Sequence, residues 1–171
     1  IVWPTTDDSD HAENIRLGLL ARVVQIRLQE VLREELGQAY SPGANSSLSR
    51  TWRDYGTFNI NVAVDYEQLD AASGAIMGMI AELRENVEAD TVDRARAPLL
   101  ERYDNLLKTL GGWMSLVDNA QSEVERLERY FNAPDMINAV TTDDVRDAAQ
   151  TYLAPDEAVQ IFVVPEGSTS E

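Results

Sequence analysis

Cysteine is absent from the 171 residues and histidine occurs once, at position 11. Without thiols there is no disulfide framework, no thiol nucleophile and no thiolate metal site. A catalytic zinc centre of two imidazoles and a carboxylate needs a second histidine, which the chain does not have. A Ser-His-Asp arrangement would have to use His11. That residue falls in the first turn of an expected helix beside Asp7, Asp8 and Asp10, where a solvated role is ordinary and no nearby nucleophile awaits activation. Basic residues are scarce as well. Fourteen Lys and Arg against thirty Asp and Glu give a formal charge of −16, a field that repels duplex nucleic acid and anionic membrane surfaces. No apolar run approaches the roughly eighteen residues of a membrane span. Ile1-Val2-Trp3-Pro4 lacks the basic start and long apolar stretch of a signal peptide, so the chain reads as a mature or excised piece. Its compartment is left open, periplasm and cytoplasm alike.

What remains is an ordinary globular composition, 44% hydrophobic and 26% charged, in a chain about one domain long. Ile1 to Thr5 is β-branched and aromatic, with Pro4 suited to a strand end or edge. Asp10 and Glu13 make a capping arrangement for a helix running to Leu36. Ile15, Leu19, Val23 and Ile26 form one line along it, and Leu20, Val24, Leu28 and Val31 an adjoining one. A stripe that wide places the helix against a sheet. Gly43 to Arg50 is Gly/Ser/Asn-rich and reads as a loop or a strand offering its backbone to a partner. Thr57 to Val64 alternates, with Phe58, Ile60, Val62 and Val64 on one face, as in a half-buried antiparallel strand. Residues 41–50 and 57–64 therefore predict a hairpin.

Helices are expected from Tyr66 or Glu67 to Glu85, from a cap at Asp90 or Thr91 to about Leu110, and from Trp113 to about Tyr130. Pro98 should kink the second of these or mark a later start, and Gly111-Gly112 should break it. Asn132-Ala133-Pro134 reads as a stop and Met136 to Val140 as a short link. Thr141 to Asp144 carries capping chemistry for a last helix, followed by a strand over Val159–Val164 and a polar tail from Gly167. Strands at both ends with clustered helices between predict an α+β fold, an antiparallel sheet covered by helices on one face. Residues 1–171 read as a single domain with no repeat or linker.

The corner Leu32-Arg33-Glu34-Glu35-Leu36-Gly37-Gln38-Ala39-Tyr40-Ser41-Pro42 organises the rest. Arg33 lies in the last turn of the long helix, where a cation suits the negative end of the helix dipole. Gly37 is the expected left-handed C-cap, and Tyr40 follows three residues later. The plain reading is a dipole partner followed by a packed ring. The string also resembles the REE-G-AY signature in the C-terminal half of the insulinase, pitrilysin and processing-peptidase superfamily of zinc peptidases, the inverzincins. The likeness extends to Val140–Val145, Ala148-Ala149, Tyr152-Leu153 and the closing Val164-Pro165.

That resemblance implies a processing-peptidase-like metallohydrolase half-domain, 1–171, truncated by a strand or so at its N-terminal edge. Family members pair two related halves around a chamber, and the N-terminal half holds zinc through His-x-x-Glu-His. This chain has no such motif. It would be the substrate-binding half, with no cofactor of its own, a zinc-bearing half or subunit as partner and a peptide as substrate. Tyr40 would donate to the substrate carbonyl oxygen, Arg33 would hold a substrate main-chain carbonyl or carboxylate, and Gly37 would set the corner. Alone, the chain should be inactive. The resemblance also admits a non-catalytic structural or assembly subunit of the same fold. A free-standing peptide-binding module using a sheet edge rests only on the Gly/Ser/Asn stretch.

Overall fold

The computed structural model describes residues 1–37, 42–118 and 120–164. In chain order the elements are β1 (Val2–Thr5), α1 (His11–Leu36), β2 (Gly43–Leu48), β3 (Gly56–Asn61), α2 (Leu69–Glu85), α3 (Ala89–Leu106), α4 (Leu110–Val117), α5 (Arg126–Ala139) and α6 (Thr142–Tyr152). Single 3-10 turns lie at Tyr66–Gln68 and Pro155–Glu157. The α+β class stands. The sheet is antiparallel, in the order β1-β3-β2.

Register explains the sheet's buried side. Trp3 stands opposite Phe58, and the two rings meet edge to face at 6.4 Å. Both are fully buried, as is Ile60 two residues on, so the alternation read from the sequence faces the core. The Trp3 indole N–H donates to the Ala154 carbonyl at 3.0 Å, which satisfies its one polar atom and ties β1 to the end of α6.

Helix α1 is the spine. Asp10 caps it by accepting from the N–H groups of Ala12 and Glu13, while Glu13 turns to Arg16 at 2.6 Å. The helix packs against β2 and against α2, α3, α5 and α6. Being surrounded, it buries more than the predicted stripe. Leu17, off both lines, is fully buried, whereas Ile26 and Val31 are only partly so. Each fully buried Leu or Val here contributes about 1.5–3 kcal/mol from apolar burial. Helix α6 begins with the expected capping box, Thr141 and Asp144 satisfying each other's backbone N–H.

Several expectations change. Helix α3 has Glu88 as its N-cap, ends at Leu106 and runs through Pro98 without interruption. The break falls at Leu107–Thr109, and Gly111-Gly112 lies inside α4. A Cβ at Gly112 would stand 1.7 Å from the Leu106 carbonyl oxygen, so Gly112 lets α4 fold back tightly on α3. The helix expected over 113–130 divides into α4 and α5. Leu116 is buried, whereas Trp113, Val117 and Val124 are exposed. Pro134 does not stop α5. The closing strand is reduced, among the described residues, to a bridge in which Val159 and Val2 exchange both backbone hydrogen bonds at 2.9 Å. Ile161 to Val164 are exposed, so hydrophobicity alone did not make them a strand.

Candidate functional site

The anticipated corner is built as its residues suggest, as far as the description reaches. Gly37 adopts φ 64 and its N–H donates to the Arg33 carbonyl at 3.1 Å, which leaves Arg33 in the last turn. The Arg33 side chain is exposed and takes part in no ion pair among the described residues. Tyr40 lies outside the described residues. Beyond it, the Gln25 side chain grips the start of β2 by both ends of its amide. Its Nε2 donates to the Pro42 carbonyl at 2.6 Å, and its Oε1 accepts from the Ala44 N–H at 2.7 Å. One polar residue in the middle of α1 thus stands in for a neighbouring strand and fixes where the chain re-enters the sheet.

At the other end of α1 is a broad groove of about 1070 Å³. Arg33 and His11 are roughly 33 Å apart along the helix axis at 1.5 Å per residue. The groove is lined by the 7–9 turn, the start of α1, the 49–53 turn, α3 and the 115–130 stretch. Its centre is Asp8, whose side chain is 3% exposed. One carboxylate oxygen accepts from Arg50 at 2.9 Å and from Arg129 at 3.1 Å, and the other accepts from the Asn14 amide. Arg129 also donates to the Asp8 carbonyl at 3.2 Å. A buried charge is tolerated only when paired and hydrogen-bonded in this way.

Asp7, beside it, also lines the groove. Hydrogen bonds from the Ser9 hydroxyl and from the N–H groups of Asp54 and Ser9 keep its carboxyl below the usual carboxylate range. Arg126 is likewise occupied. It pairs with Glu123 at 2.7 Å and donates to the carbonyls of Leu116 and Ser115, which satisfies the C-terminal end of α4. Hydrogen bonding and charge from Arg126 lower the Glu123 carboxyl. Five arginines therefore meet in this groove, at positions 50, 53, 102, 126 and 129. They are scattered in sequence, and no periodicity announces their convergence.

His11 is half-buried, with Nε2 3.2 Å from the Arg129 carbonyl oxygen, a structural contact in place of the solvated position anticipated. No group of three or more His, Cys, Asp or Glu among the described residues could hold a metal ion. Zinc does not fit this chain's described residues.

The fold is shared with solved structures. The inactive peptidase domain of a candidate zinc protease from Bordetella parapertussis superposes with a TM-score of 0.75 at 14% identity, over 99% of this chain and 92% of that one. The periplasmic protease PqqL from Escherichia coli gives 0.70 at 13% identity over 89% of this chain. A protease from Helicobacter pylori gives 0.73 at 12%, over 91% of this chain. The chain spans only 17% of the PqqL chain and 38% of the Helicobacter one. No curated protein matches.

The sequence pattern of the peptidase M16 inactive domain matches residues 1–99, more than half of the chain. The protein belongs to that family, as a non-catalytic half of the peptidase fold corresponding to the C-terminal half. No helix among the described residues is long and apolar enough to cross a membrane.

Proposed function

We propose that this chain is the substrate-binding half of a zinc peptidase, folding as one unit over 1–171 and acting with a zinc-bearing half or subunit. The observation that carries the reading is the Arg33 corner. Among the described residues, its guanidinium is exposed and forms no ion pair at the negative end of α1, four residues before a left-handed glycine, in a chain of the M16 inactive-domain family. Were Arg33 a scaffold residue, the neighbouring Glu30 would be a natural partner, yet Glu30 pairs with Arg27 and Arg94.

In this reading Arg33 holds a main-chain carbonyl or carboxylate of the peptide through its planar fork. Tyr40 donates its phenol hydrogen to the carbonyl oxygen as negative charge develops there. The hydrolytic centre belongs to the other half, since the described residues offer no ligand set for zinc.

The test is peptidase assay of the chain alone and mixed with its zinc-bearing half. Activity in the mixture only, lost in Tyr40→Phe and Arg33→Ala variants that still fold and still associate, is the expected result. A stable complex without activity on any peptide would make this a structural or assembly subunit. Activity from the chain alone would overturn the reading, because one histidine cannot build the site.

A further inference from the structure

The turn between β2 and β3 is held more firmly than an exposed hairpin turn requires. The Ser49 carbonyl accepts from the Asp8 N–H at 3.0 Å, and the Ser49 N–H donates to the Tyr55 carbonyl at 2.9 Å. The Ser49 hydroxyl oxygen accepts from the N–H groups of Thr51 and Trp52 at 3.1 and 2.8 Å. The Asp54 N–H donates to Asp7 at 2.8 Å. Asp54 itself sits at φ 54, a left-handed conformation no other non-glycine residue adopts among those described. Strain of that kind persists where the surroundings over-determine it, and it clusters at binding sites.

The rigid turn displays two side chains. Trp52 is 70% exposed, and Arg53 is exposed with no ion pair among the described residues. Tryptophan and arginine are the types over-represented at the energetic centres of interfaces. Both line the groove, and so does Arg102 of α3, exposed and likewise without an ion pair among the described residues. Arg50, Arg126 and Arg129 are committed to carboxylates. Arg53 also feels the charge of Asp7, but that carboxylate is already held by the N–H groups of Ser9 and Asp54.

The groove sets five arginines against four carboxylates, one net positive charge in a chain of −16. We infer that it binds an acidic peptide segment, with side-chain carboxylates gripped by Arg53 and Arg102 and the segment lying against Trp52. The volume, about 1070 Å³, suits several residues of peptide. A polyanion would be repelled by the field of the whole chain. A short acidic segment carries few charges, and beyond roughly 8–10 Å the remote carboxylates are screened. The inference is independent of the Arg33 corner, since the groove lies at the other end of α1.

The test is fluorescence anisotropy of a labelled synthetic peptide alternating Glu with Leu, titrated with the full chain. A peptide with Gln at each Glu position serves as comparator. The Glu peptide should bind about tenfold or more tightly than the Gln peptide, as expected for one or two charge-assisted hydrogen bonds. Arg53→Ala/Arg102→Ala should abolish the difference, Trp52→Ala should weaken both peptides, and Arg33→Ala should change nothing. If the double variant fails to fold, Arg53→Glu and Arg102→Glu singly carry the same test. Equal binding of the two peptides, no binding of either, or binding unchanged by the arginine substitutions would overturn the inference.

Discussion

The two ends of α1 are built on opposite terms. At the start, Asp7, Asp8, His11 and Asn14 are knotted to the 49–54 turn and to α5, and every carboxylate oxygen of Asp8 is spoken for. At the finish, Arg33 is exposed and forms no ion pair among the described residues, and the backbone leaves through a left-handed glycine. A buried charge must be saturated to be tolerated. An exposed one at a helix end can meet something else. The contrast separates a fastening from a candidate site, although both consist of charged residues at the ends of one helix.

Five substitutions press on this contrast. On the proposed reading, the largest effect is expected for Tyr40→Phe in the chain paired with a zinc-bearing half. Loss of an oxyanion donor lowers turnover about 10²–10³-fold, and the thermal midpoint should stay where it is. A drop in midpoint with turnover kept would make the corner a fastening too. Next comes Asp8→Ala, expected to cost about 2 kcal/mol, read from the denaturant midpoint. It strips Arg129 and Asn14 of their shared acceptor, whereas Arg33→Ala should remain within about 0.5 kcal/mol of the parent. Equal costs at the two positions would erase the distinction. Gly37→Ala should cost about 1 kcal/mol through φ alone, since nothing lies within 4 Å of the added carbon.

The smallest effect is in acid. Asp7 titrates below the usual aspartate range when folded. A depressed carboxyl adds stability above its unfolded pKa that is lost as pH falls through the folded one. The loss therefore begins near pH 4 and deepens below it. Asp144, held down by the Thr141 hydroxyl and N–H, acts in the same direction. Asp7→Asn should flatten the acid limb of midpoint against pH. An unchanged limb would mean that Asp7 titrates alike in the folded and unfolded chain.

Legibility followed the range of the interaction. Asp10, Gly37 and the Thr141–Asp144 box act within one turn of backbone, and they stand as read. The Phe58–Ile60 alternation has a period that backbone geometry enforces, and it too faces the core. Pro134 was misread because a proline inside a helix is costly but can be outweighed by packing, and Ala133 and Ile137 on either side of it are buried. Val159–Val164 was misread because a strand is made by its neighbour, and among the described residues only Val159 has one.

By itself, then, the sequence determined the class of fold, the helix α1 with its cap and its Gly37 turn, and the presence of a single histidine, one short of a two-imidazole zinc site. These depend on local geometry or on composition. The tertiary structure decided that five arginines distant in sequence share one groove, that Gln25 stands in for a strand beside β2, and that Gly112 closes α4 onto α3. Each depends on which surfaces meet when α1 is buried, and a pattern confined to single segments carries no record of that.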